Sequence, residues 1–119
     1  MNDTPKHKKT LLYIAGPMTG IDNHNIEAFN AAQNLLEACG YATLNPARHE
    51  QDDRDWADYM KLGIQDVLEA DGVALLPNWK DSKGALLEVS VATGLAKASE
   101  TVDYWYGHSP VVNRMKKED

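Results

Sequence analysis

Short apolar runs separated by helix-forming stretches constrain this chain more than any other feature. The clearest run is Val73-Ala74-Leu75-Leu76, which turns through polar residues into Gly84–Ala98, a stretch without proline and rich in helix formers. A run this short with no polar side reads as a strand buried on both faces, the signature of a parallel sheet. Thr10–Ala15 and Tyr41–Leu44 read as two further strands, and the alternation in Thr101–Tyr106 as a last, edge strand. Between them, Ile26, Phe29, Ala32 and Leu36 recur at helical spacing over Ile26–Cys39, with Asp22, Asn23 and Asn25 available as N-caps and Gly40 as the stop. Trp56, Met60, Ile64 and Val67 do the same over Trp56–Glu69, behind Asp55. Gly63 sits in the middle of that helix and weakens it by roughly 1 kcal/mol relative to Ala, so it implies close packing or space kept for something else. The order strand, helix, strand, helix, strand, helix, strand predicts an α/β fold: a three-layer α/β/α sandwich, Rossmann-like, around a mostly parallel sheet of four to five strands. Three loops then gather at one sheet edge: Gly16–Gly20, Asn45–Arg48 and Pro77–Gly84.

A chain of 119 residues is one domain. Residues 1–9 read as a polar lead, 10–107 as the α/β domain and 108–119 as a polar tail. A formal charge of −6 argues against a nucleic-acid polymer as partner, because such binding displaces counterions with a basic surface. A small anionic ligand stays compatible, held by backbone amides and helix N-termini. Cys39 is the only cysteine, so no intramolecular disulfide forms, which fits a reducing, cytoplasmic compartment; among Leu35, Leu36 and Ala38 it reads as core packing. No apolar run has the length of a membrane span.

Glu88 is the only ionisable residue between Lys83 and Lys97. At 100° per residue it lies beside Ala85, Val89, Ala92 and Leu95, on the flank of the apolar face. A carboxylate there is costly unless paired or protonated. Two readings follow: a Glu neutralised by a donor elsewhere in the core, or a carboxylate held at the mouth of a cleft near a strand's carboxyl end, where open α/β sheets place ligands. Gly16-Pro17-Met18-Thr19-Gly20 breaks the first strand with glycines that would let a ligand approach the backbone, or simply turns the chain. His49, Glu50, Asp52 and Asp53 lie in a polar loop but set no ligand geometry, so no metal is expected.

With those residues assembled, the chain resembles the nucleoside 2-deoxyribosyltransferase superfamily, and more closely the short phage and bacterial proteins allied to it. The resemblance covers Leu11 to Ala98. It rests on Y-I-A-G-P-M-T-G after the first strand, N-P after the second and A-D-G-V-A-L-L-P-N-W-x-x-S-x-G-A-x-x-E near the end. It implies a homo-oligomer that binds a nucleoside or nucleotide without cofactor. The glutamate matching Glu88 attacks C1′ of the sugar as the base departs, and a second base or water resolves the glycosyl-enzyme, as in retaining glycosidases. Tyr13 matches a tyrosine that hydrogen-bonds the nucleophile, core packing being its other reading. Ser82 matches a serine that contacts a 5′-phosphate, helix capping being its alternative. The residues expected at the substrate are Gly16, Pro17, Met18, Thr19, Gly20, Asn45, Asn78, Trp79, Ser82 and Gly84.

The chain departs from that pattern at one place. Active relatives carry an aspartate eight residues before Asp71, and here that position is Gly63. Asp66 is the nearest carboxylate, about 60° further round the helix and away from the apolar stripe. This leaves two further functions open: a nucleotide-binding protein of the same fold that does not turn its ligand over, and an interaction protein with a vestigial cleft. In the last, Tyr104-Trp105-Tyr106 is the contact surface, whether for a partner or for a second copy.

Overall fold

The computed structural model describes residues 8–49 and 55–117. Four strands form one sheet: β1 (Leu11–Ala15), β2 (Ala42–Leu44), β3 (Gly72–Leu75) and β4 (Ala98–Thr101). Their order is β2-β1-β3-β4, and every neighbouring pair is parallel. The crossovers are α1 (Ile26–Ala38), α2 (Trp56–Glu69) and α3 (Lys83–Gly94). The chain passes from β1 out to β2 and then back to β3 on the other side of β1. The switch point of the sheet therefore lies between β1 and β3, and a crevice opens beyond their carboxyl ends.

The twofold periodicity of the central strands sorts the core into two halves. Leu12 and Ile14 of β1, with Ala74 and Leu76, pack with Phe29, Ala32 and Leu36 of α1. Tyr13 and Ala15, with Val73 and Leu75, face the opposite way onto Val67 of α2 and Ala85 and Ala92 of α3. Tyr13 is thereby committed to the layer that carries Glu88. Asp71, at the turn into β3, closes the register at the other end: its amide donates to Leu11 O at 2.7 Å and its Oδ2 accepts from Leu11 N at 2.8 Å.

The chain differs from the sequence reading at its C-terminal third. The expected helix Gly84–Ala98 ends at Gly94, and residues 98–101 form the edge strand instead. The stop is a Schellman turn with Ala96 in the left-handed region at φ 59°. Ala96 N donates to Thr93 O and Lys97 N to Ala92 O, at 3.0 and 2.9 Å. Alanine rarely occupies that position, so the stop carries no sequence signal. Lys97 then covers the end of α2, its ammonium donating to the carbonyls of Val67, Leu68 and Ala70 at 3.0, 2.7 and 2.7 Å.

The segment read as a strand, Thr101–Tyr106, is mostly helix. Thr101 Oγ1 accepts from Tyr104 N at 3.1 Å and starts α4 (Val102–Gly107). Its alternation misled because Trp105 turns inward. The indole donates to Val73 O at 2.8 Å, and the Tyr41 hydroxyl donates to Trp105 O at 2.6 Å. Trp105 is thus a brace between sheet and helix, while Tyr104 and Tyr106 stay exposed. The expected polar tail likewise contains α5 (Pro110–Lys117). Ser109 is fully buried, its Oγ accepts from Val112 N at 3.1 Å, and Val111 N donates to Cys39 O at 3.3 Å. Cys39 itself is buried in the α1 side of the core, as packing requires. Among the described residues no helix is long and apolar enough to cross a membrane.

Candidate active site

Beyond the carboxyl ends of β1 and β3 lies a cleft of about 640 Å³, within the range typical of small-molecule sites. Tyr13 and Glu88 lie at its wall. The Tyr13 hydroxyl donates to Glu88 Oε2 at 2.7 Å, and both residues are almost fully buried. Among the described residues Glu88 forms no ion pair. Burial therefore dominates and raises its pKa from 4.5 to about 7; the Tyr13 hydrogen bond opposes the shift and the nearby Asp66 charge adds to it. The Tyr13 phenol is pushed well above its ordinary value, first by burial and then by the adjacent Glu88.

Gly63 explains how the carboxylate fits. A Cβ at this position would collide with Glu88 Oε2 and lie 3.0 Å from the Tyr13 hydroxyl. The space expected of this helical glycine is thus occupied by Glu88. Asp66, one turn on and expected about 60° round from Gly63 and away from the apolar stripe, is instead buried. Arg48 Nη2 donates to both its oxygens, at 3.1 and 3.2 Å, and His49 Nε2 lies 3.3 Å from Oδ2. The 3-10 turn Pro46–Arg48 after β2 delivers these partners, with Arg48 Nη1 also donating to Asn45 O at 3.0 Å. Helical spacing alone misplaced Asp66 because the cation that makes its burial affordable comes from another loop.

Of the residues expected at the substrate, Gly16, Pro17, Met18, Thr19, Ser82 and Gly84 line the cleft together with Tyr13 and Glu88. Asn45, Gly20, Asn78 and Trp79 do not. Asn45 is buried and its amide is fully engaged: Nδ2 donates to Asn30 Oδ1 and Gln33 Oε1, and Oδ1 accepts from Ala47 N. Gly20 has φ 79° and serves the turn. Asn78 and Trp79 belong to a smaller groove beside Thr101 and Val102. Gly16 is glycine for packing, since a Cβ there would come within 2.7 Å of Leu76 Cβ. Ser82 is the N-cap of α3, its Oγ accepting from Ala85 N at 3.1 Å.

The sequence reading missed much of the cleft wall. His24, Phe29, His49, Trp56, Tyr59, Met60 and Lys83 all face it. His24 arrives on three consecutive left-handed residues, Asn23, His24 and Asn25, braced by Asn25 Nδ2 donating to Pro17 O at 3.0 Å. Lys83 places its ammonium 4.4 Å from the centroid of the Trp56 ring. Trp56 heads the apolar stripe of α2, yet it is part-exposed at the cleft instead of buried with Met60 and Val67. Among the described residues no three His, Cys, Asp or Glu side chains come together as a metal site. Glu50, Asp52 and Asp53 lie outside the described residues.

A family model described as "Domain of unknown function (DUF4406)" matches residues 10–99, which hold β1 to β3, the start of β4 and all three crossover helices. No curated protein matches the chain.

Proposed function

This chain belongs to the DUF4406 family, and we propose that its cleft takes a nucleoside or nucleoside 5′-monophosphate and breaks the N-glycosidic bond, with Glu88 as nucleophile. The observation that carries this reading is the Tyr13–Glu88 pair: a buried carboxylate with one neutral donor, at the wall of an open cleft. Tyr13 holds Oε2, leaving Oε1 as the oxygen that attacks C1′. The Glu88–C1′ bond forms as the C1′–N bond breaks, and its electron pair leaves with the base. Water, or a second base, then displaces Glu88 from C1′. A carboxylate whose pKa sits near 7 is more basic than an ordinary one, and so a stronger nucleophile once ionised.

The start of α3 suits a 5′-phosphate, with Ser82, Lys83 and Gly84 on the cleft wall at a helix N-terminus. Trp56 offers a flat apolar surface for a base. Leu86 and Leu87 are exposed on α3 and Leu95 at its C-cap, apolar surface that supports a homo-oligomer. Light scattering with Leu87→Lys tests that contact, a monomeric wild type ruling it out.

Binding without turnover is the second reading, and Gly63 favours it, because no carboxylate stands there to assist proton transfer. The deciding assay is base release from a panel of nucleosides and 5′-monophosphates. Release by wild type but not by Glu88→Gln supports the enzyme. A ligand that raises the melting temperature without any base release leaves only binding.

A further inference from the structure

Trp56 and Lys83 are the first residues of α2 and α3. Both helices lead into parallel strands and pack on the same face of the sheet, so both begin at its carboxyl edge and their first side chains meet at the cleft. The Lys83 ammonium lies 4.4 Å from the centroid of the Trp56 ring. Trp56 is 42% exposed, and among the described residues neither its indole nor the ammonium has a hydrogen bond or ion pair. Lys83 is also the only lysine or arginine on the described cleft wall, which carries the carboxyl groups of Asp81 and Glu88. In a chain of net charge −6, a phosphate entering this cleft has one fixed positive charge to meet. An ammonium over an exposed ring is held weakly compared with one hydrogen-bonded to a phosphate, so the contact is exchangeable. While it stands, it covers a ring face on which a base would stack.

Resting on the reading of the cleft as a nucleoside or nucleotide site, with or without turnover, we propose that Lys83 and Trp56 form a latch that selects 5′-monophosphates. Without phosphate, the ammonium occupies the Trp56 face. A 5′-phosphate draws the ammonium to itself, and the uncovered indole stacks on the base. A nucleoside brings no such charge, and its base has to displace the ammonium into water. Phosphate and base are thereby bound together, although they contact different residues. Lys83 is a specificity residue in this arrangement and takes no part in the bond exchange at Glu88.

The test is titration calorimetry on Glu88→Gln, which lacks the proposed nucleophile, with purine and pyrimidine 2′-deoxynucleosides and their 5′-monophosphates. Adding Lys83→Ala should weaken the monophosphates about 10-fold, the loss of a charge-assisted hydrogen bond. It should tighten the nucleosides about 2- to 5-fold, because no cation–π contact is left to displace. Opposite signs on the two ligand classes separate a latch from a general loss of structure. At constant ionic strength, inorganic phosphate should tighten nucleoside binding to Glu88→Gln by about the same 2- to 5-fold, and Lys83→Ala should abolish that coupling. Parallel changes on both ligand classes, or no coupling to phosphate, overturn the latch while leaving the nucleotide reading in place. Failure of every nucleoside and monophosphate to bind removes both.

Discussion

Gly63 and Glu88 are complementary: the absent side chain of one is the space that holds the carboxylate of the other. The pair joins α2 to α3 directly over Tyr13. Replacing Gly63 by Ala sets two effects against each other. Helix propensity improves by up to about 1 kcal/mol, and the Tyr13–Glu88 hydrogen bond, worth about 1 kcal/mol, is lost as the carboxylate swings into the cleft. Stability measured by urea unfolding should therefore change by less than about 1 kcal/mol. The Glu88 pKa should fall towards the ordinary range, because burial is its largest perturbation. Carboxyl-carbon NMR titration reads it, and an unchanged pKa contradicts the packing described.

Tyr13→Phe isolates the hydrogen bond. The bond stabilises the ionised form, so its loss should push the Glu88 pKa above about 7. At pH 8 the variant should lose about 1–3 kcal/mol, since a buried acceptor is left without a donor. The same titration, with urea unfolding at pH 8, checks both.

Asp66→Asn removes a neighbouring negative charge while keeping a side chain that fills the site. Because that charge raises the Glu88 pKa, the variant should titrate lower than wild type. An unchanged value would mean that the two carboxyl groups are not coupled.

Stability should depend on pH through Glu88. Its folded pKa of about 7 lies above the ordinary 4.5, so between these values the folded chain holds a proton that the unfolded chain has released. Stability is therefore full below about pH 4.5 and declines as pH rises to about 7, by about 3 kcal/mol at most. Glu88→Gln removes this decline. Its unfolding midpoint should gain on wild type between pH 5 and pH 8, and a constant difference would show that Glu88 is ionised in the fold throughout.

Ala96→Gly addresses the end of α3. The left-handed conformation costs an alanine about 1 kcal/mol or more and glycine nothing, so the variant should be more stable by about 1 kcal/mol. A melting temperature below that of wild type would contradict the Schellman geometry.

The parallel sheet, the inward helices α1 and α2 and the isolation of Glu88 were legible in the sequence because each is a local pattern. Burial on both faces writes itself as an uninterrupted apolar run, and one-sided burial as a helical stripe. A lone acid among apolar neighbours is visible without any fold. The helices after β4 were not legible, since Trp105 reaches back to Val73 and Ser109 is buried under α5, contacts that no period within the segment encodes.

What only the tertiary structure decided is what Glu88 meets. Tyr13 is 75 residues away in the chain, and the sheet brings it within 2.7 Å. The burial of Asp66 depends on Arg48 and His49 from the turn after β2, and the vacancy that admits Glu88 depends on Gly63 of a different helix. The sequence determined which residues must leave water and at what period they recur. Which polar groups then face one another follows from the parallel pairing of β1 and β3 at the switch point, because hydrogen bonds and charge pairs act only over a few ångströms of space.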